Sequence, residues 1–165
     1  MRQPLAFKTW MLSLPASPHL AARADGVSID HERIVAAFGR LAALSDLVIV
    51  EGAGGWFAPI SATQTVADVA GALALPVILV VGMRLGCLNH ALLTAEAIRA
   101  SGLPLTGWIA NAIDPSMAVA HENVEALRER LGAPLLGRLP HEAHPIAPAM
   151  ARYLDVSSLL GERGA

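Results

Sequence analysis

The residues best equipped for chemistry fall where apolar runs stop. Glu51 stands at the tip of Leu47-Val48-Ile49-Val50 and opens the loop Glu51-Gly52-Ala53-Gly54-Gly55. An acid at the end of an apolar strand is placed like the carboxylate that holds Mg²⁺, directly or through water, in many sheets that hydrolyse nucleotides. Glycines at positions 52, 54 and 55 let backbone N–H groups approach a phosphate or carboxylate closely, and a generic tight turn has little use for so many. A helix-capping or surface carboxylate is the plainer reading of Glu51; the glycines weigh against it.

Three further strand ends carry distinctive residues. The run Gly82-Met83-Arg84-Leu85-Gly86-Cys87-Leu88-Asn89 precedes a helix whose N-cap is expected at Asn89, so its free N–H groups form an anion site suited to a carboxylate. Cys87 lies inside that site and reads as a small buried filler before it reads as a nucleophile. Asn111 follows Ala110. It is either a turn residue or an amide able to read the edge of a purine, since it offers both a donor and an acceptor. Pro140, His141 and Glu142 follow Leu139. His19, His90, His121, His141 and His144 have no metal-ligand spacing and read as surface or capping residues.

The elements that must position these residues follow from periodicity. Residues 1–27 read mostly as loop, punctuated by Pro4, Pro15, Pro18 and Gly26. Ile34, Phe38, Leu41 and Leu44 recur at helical spacing from Asp30 to Leu44, with Ser28 or Asp30 as N-cap. Leu47 to Val50 has the β-branched, continuous character of a strand buried on both faces. The alternation then repeats: helix Thr65–Leu75, strand Val77–Val81, helix Asn89–Ala100, strand Leu105–Ala110, helix Ala118–Leu131 and strand Leu135–Leu139, with a short helix in the tail from Pro145. Such alternation predicts an α/β class, a parallel sheet covered by helices on both faces. In that architecture ligands gather beyond the carboxyl ends of the strands, where Glu51, Gly82–Asn89, Asn111 and Pro140–Glu142 all fall.

Composition bounds the function. The 165 residues, 54% hydrophobic and 16% charged, suit a single domain spanning 1–165 with a sizeable core, and exclude disorder. A net charge of −2 gives no electrostatic footprint for nucleic acid or an anionic membrane surface. Cys87, the only cysteine, has no internal disulfide partner. Together with the lack of a recognisable targeting segment, it implies a cytoplasmic protein. The longest apolar stretch, Val69 to Met83, is broken by Gly71, Pro76 and Gly82 and falls short of the roughly 20 residues of a membrane span.

At Val50-Glu51-Gly52-Ala53-Gly54-Gly55-Trp56-Phe57-Ala58-Pro59-Ile60 the sequence resembles the dethiobiotin synthetase family, ATP-dependent enzymes of biotin biosynthesis. Ser17-Pro18-His19-Leu20-Ala21-Ala22, Leu75 to Gly82, Leu85 to Thr94 and Gly107-Trp108-Ile109-Ala110-Asn111 agree with it in family order, over roughly residues 15–142. The resemblance implies a P-loop NTPase-like fold and closure of a cyclic urea on 7,8-diaminononanoate with CO₂ and ATP. It further implies that Glu51 is the Mg²⁺ ligand and that the N–H groups of Gly52, Gly54 and Gly55 lie near the reacting carbamate and phosphate. Gly86, Cys87, Leu88 and Asn89 would take the substrate carboxylate across a homodimer interface. Asn111 would read adenine, with Pro140, His141 and Glu142 lining the base pocket.

The sequence departs from the family at its start. It contains no G-x-x-x-x-G-K-[ST] loop, and Lys8, its only lysine, has no glycine-rich context. The expectation is a C-terminal portion of the family domain, inactive by itself, with Met1 lying inside a longer reading frame. The missing first strand would sit between Leu47–Val50 and Val77–Val81 and leave both edges unpaired. Trp10 to Leu14 reads as a short insertion. Alternatives are a non-catalytic remnant that keeps dimer and ligand-binding surfaces, or a corrinoid amide synthetase domain, which would need a glutaminase domain that is not present.

Overall fold

Two stretches of the chain form separate compact units in the computed structural model, which describes residues 8–159: one runs to Ala74 and the other starts at Leu75. In the first, Pro18 occupies the opening turn of α1 (Pro18–Ala24), where a missing N–H costs nothing, and Ala21 and Ala22 are buried. The rest of 8–27 is irregular, in keeping with the reading of 1–27 as mostly loop, and the one helix there starts at a proline; residues 1–7 of that reading lie outside the described residues. In α2 (His31–Ala42) the Asp30 carboxylate caps the helix by accepting from the Glu32 N–H at 2.9 Å. Ala37 is buried, and Ile34, Phe38 and Leu41 are partly covered on the same stripe. Leu44 falls beyond the helix end and is 73% exposed.

The expectation of a buried strand at Leu47–Val50 is overturned. The segment joins no ladder, and Leu47, Ile49 and Val50 are 59%, 84% and 42% exposed. An apolar run forms a buried strand only where a neighbour supplies hydrogen-bond partners, and no described residue does so for this one. After the glycine loop, α3 (Val66–Leu73) starts at Thr65, whose N–H and hydroxyl both donate to the Asp68 carboxylate at 2.6 and 2.8 Å. Those bonds hold the Asp68 carboxyl below its ordinary range, the backbone N–H contributing most.

The second unit is a three-stranded parallel sheet in the order β1 (Val77–Met83), β2 (Leu105–Ala112), β3 (Leu135–Leu139). Leu79, Val81 and Met83 alternate along β1 toward α4 (Cys87–Ala100) and α5 (Ala120–Arg130), which pack on that face. Trp108 and Ala110 of β2 join the same core with Ala91, Ala95, Val124, Leu127 and Leu131. Trp108, Leu127 and Leu131 have no exposure, and burying each leucine contributes roughly 1.5–3 kcal/mol. Ile78 and Val80 point to the opposite face, where they are 42% and 55% exposed. The chain then returns through α6 (Ala147–Ala151), and Leu154 forms an antiparallel bridge with Gly137 of β3. No described helix is long and apolar enough to cross a membrane.

Candidate functional site

The carboxyl edge of the second unit's sheet lines up residues from all three strands. Gly82 is the register partner of Asn111, and Asn111 that of Leu139. Asn111 was expected just past the end of its strand; β2 runs on to Ala112, so the sheet fixes its backbone on both sides. Its side chain is half-buried and forms no hydrogen bond among the described residues, which leaves its donor and acceptor free.

Beyond β1 the chain turns through Arg84 and Leu85 into α4. Asn89 is not the N-cap, as had been expected. Gly86 caps the helix with φ 91°, a left-handed conformation that glycine adopts without strain, and Asn89 becomes the third helical residue. The Cys87 N–H donates to the Arg84 carbonyl at 3.0 Å, and the His90 N–H to that of Gly86 at 3.2 Å. The N–H groups of Leu88 and Asn89 have no partner among the described residues, and glycine brings no side chain to cap them. The 14-residue helix adds its positive end to these two donors. Cys87 is 3% exposed and packs in the core, in keeping with the filler reading.

Pro140, His141 and Glu142 follow β3 and are exposed. The loop after β2 contributes Asp114, which sequence reasoning passed over. Its carboxylate accepts from the Ser116 hydroxyl at 2.7 Å and N–H at 2.9 Å, which lower its pKa; the charge of His141 adds to the same effect. The loops after β2 and β3 are therefore electrostatic neighbours. The second unit thus brings together Gly86 to Asn89, Asn111 and Pro140 to Glu142 at one sheet edge.

Glu51, Gly52, Gly54 and Gly55 belong to the other unit. Gly54 and Gly55 have φ 84° and 104°, and a β-carbon on Gly52 would come within 2.9 Å of Val66 Cγ1, so two glycines are required by conformation and one by space. Loop carbonyls satisfy the start of α3: the Val66 N–H donates to Ala58 at 3.0 Å and the Ala67 N–H to Trp56 at 2.9 Å. The N–H groups of Gly52, Gly54 and Gly55 have no partner among the described residues. The exposed Glu51 carboxylate likewise accepts no hydrogen bond and forms no ion pair among them. The Trp56 indole N–H is buried without an acceptor.

His19, read as a surface or capping residue, and the Trp10–Leu14 stretch, read as a short insertion, both make contacts inside the first unit. His19 joins α1 to the segment after the glycine loop through Nδ1, 3.2 Å from the Pro59 carbonyl, and through its backbone N–H at 3.3 Å. A cleft of about 440 Å³ opens beside it, lined by Arg23, Val27, Ser28, Ile60 and Ser61 among others. Trp10 lies under the Arg33 guanidinium at 5.2 Å, and the Ser13 N–H donates to Asp25 at 2.8 Å, so the Trp10–Leu14 stretch is tied to its own unit. No described group of three or more His, Cys, Asp or Glu residues is arranged to hold a metal ion.

Comparison with known proteins agrees with the motif reading. The ATP-dependent dethiobiotin synthetase BioD of Aromatoleum aromaticum is 60% identical over 134 residues, which cover 81% of this chain and 60% of that protein. The chain therefore spans about 60% of its relative's length. A family model described as an AAA domain matches residues 3–149, nearly the whole sequence, and with the parallel α/β sheet in place the chain belongs to that family.

Proposed function

We propose that this chain is the base- and substrate-binding portion of an ATP-dependent dethiobiotin synthetase of the cytoplasm, which closes the ureido ring of dethiobiotin from 7,8-diaminononanoate, CO₂ and ATP. The 60% identity over 134 residues with a protein of that name carries the reading. On this reading the reaction has three steps. One amine adds to CO₂ and loses a proton to give a carbamate; a carbamate oxygen attacks the γ-phosphorus of ATP and ADP leaves. The second amine then attacks the carbamoyl carbon, the C–O bond to phosphate breaks, phosphate leaves, and the nitrogen gives up one proton to leave the cyclic urea.

On this reading Asn111 donates to and accepts from the adenine edge, and Pro140, His141 and Glu142 line the base pocket. The free N–H groups of Leu88 and Asn89, in the turn that starts at Gly86 and Cys87, hold the substrate carboxylate across the interface of a homodimer. The N–H groups of Gly52, Gly54 and Gly55 donate to oxygens that gain charge as the phosphoryl group moves, which is where fixed dipoles lower a barrier most. Mg²⁺ takes one or two carboxylates from a protein and its remaining oxygens from phosphates and water. The single unpaired Glu51 carboxylate fits that donor set, and the ion would neutralise phosphate charge there.

The test uses the 165-residue chain alone and the same chain joined behind a segment bearing a G-x-x-x-x-G-K-[ST] loop, each given 7,8-diaminononanoate, bicarbonate, Mg²⁺ and ATP. Mass spectrometry is expected to find dethiobiotin with the joined protein and none with the chain alone, which has no such loop. A folded joined protein that binds ATP yet makes no dethiobiotin sinks the proposal in favour of a non-catalytic ligand-binding module.

A further inference from the structure

We infer that Gly137 is a positioning residue for the base pocket: it lets the returning chain dock on β3 and so closes the loop that carries Pro140, His141 and Glu142. The inference rests on the reading of those residues and Asn111 as the base-binding edge. Gly137 is held on both sides, by its pairing with Ile109 of β2 and by the antiparallel bridge to Leu154. The Asp155 N–H donates to the Leu136 carbonyl at 2.7 Å and locks the same crossing. A β-carbon on Gly137 would fall on the Tyr153 carbonyl oxygen, 3.0 Å from the carbonyl carbon and 2.9 Å from Leu154 Cδ2. Backbone cannot swing aside as a side-chain tip can, so any other residue at 137 forces the returning chain off the strand.

This docking controls the pocket because little else does. Pro140, His141 and Glu142 are exposed, and their one hydrogen bond among the described residues is the weak contact from the His144 N–H to Glu142 Oε1 at 3.5 Å. Their placement depends on the two ends of the loop, one leaving β3 at Leu139 and the other returning at Leu154. Releasing the second end restores the freedom of an open chain segment.

Two variants release it from opposite sides: Gly137→Ala by collision, and Asp155→Pro by removing the N–H that reaches Leu136. Adenosine is titrated into ¹⁵N-labelled protein while the Asn111 side-chain amide is followed, and 7,8-diaminononanoate is titrated while the Leu88 and Asn89 amides are followed. Limited proteolysis between residues 146 and 155 reports undocking. Both variants are expected to be cleaved there faster, to bind adenosine at least about tenfold more weakly and to keep the parent response at Leu88 and Asn89. General damage to the fold would lower both responses, which counts against a positioning role. Undocked variants that bind adenosine like the parent overturn the inference and leave the base-pocket reading intact. A parent whose Asn111 amide ignores adenosine removes the base-pocket reading, and the inference with it.

Discussion

Gly82 and Asn111 face each other across the last rungs of β1 and β2, and Leu139 of β3 continues the row. The position of the Asn111 amide is therefore a property of the sheet: its backbone is hydrogen-bonded into a strand with neighbours on both sides. A turn asparagine would have its side chain committed to nearby backbone; this one forms no such bond among the described residues.

Asn111→Ala removes the amide while leaving the strand in place. Adenosine affinity is expected to fall about tenfold, the weight of one or two lost hydrogen bonds. Thermal stability should change by no more than about 1 kcal/mol, since the side chain is half-buried and unpartnered. Calorimetric titration alongside a melting curve checks both; unchanged affinity would remove Asn111 from the base pocket.

Gly107 and Gly82 should respond differently to the same added methyl. At Gly107 the new β-carbon meets Leu136 Cδ1, Cγ and Cδ2 at 2.6, 2.7 and 2.9 Å, and Leu136 is only 3% exposed. Gly107→Ala should cost about 1–3 kcal/mol, because the buried leucine has nowhere to move. At Gly82 the closest atom is the tip of Ile113, 2.7 Å away on a side chain that is 46% exposed and free to rotate. Gly82→Ala should cost less, and urea denaturation that ranks the two the other way would show that the sheet yields at β3.

In the α4–α5 core, Leu127 has no exposure whereas Leu93 on α4 is 62% exposed. Leu127→Ala is expected to destabilise the second unit by about 2–5 kcal/mol, the lost transfer energy plus a cavity. Leu93→Ala should fall within about 0.5 kcal/mol of the parent. Equal effects in chemical denaturation would mean that α5 does not close this core.

Through Glu125 the second unit is expected to lose some stability in acid. Its partial burial pushes the carboxyl pKa up, but the Arg138 hydrogen bond and the charges of Arg128, 3.2 Å away, and Arg138 outweigh that and leave it below the ordinary value. A depressed carboxylate stabilises the fold fully above its unfolded pKa of about 4.5, and the contribution is lost as pH falls through the lower folded value. Carbon-detected titration should place the Glu125 midpoint below 4.5. In Glu125→Gln the stability curve should be flatter over that acid range, and a midpoint at or above the ordinary value would contradict the ion-pair account.

Much of the architecture was legible because it depends on local pattern. The apolar run read as a strand at Val77–Val81, the glycine and proline stops at Gly102 and Pro104, and the Asp30 cap are short-range signals that the tertiary structure keeps. The helix start near Cys87 was misplaced by two residues because asparagine is a common cap, whereas here Gly86 supplies the turn through its backbone alone. The helix at Pro18 was missed because a proline marks both a loop and a first helical turn, and only the burial of Ala21 and Ala22 distinguishes the two.

By itself the sequence determined the α/β class, the family and the identity of the residues that could do chemistry, since composition, periodicity and motif spacing all travel with the chain. Tertiary structure decided which of them meet. It set Asn111 between Gly82 and Leu139, buried Cys87, freed the Leu88 and Asn89 N–H groups, and made Gly137 the crossing point of a loop whose far end is Leu154. It also left Leu47–Val50 without a ladder. The physical reason is the same each time: hydrogen-bond partners and packing neighbours far apart in sequence are chosen by the fold, and an apolar run or a glycine acquires its role only when that partner is present.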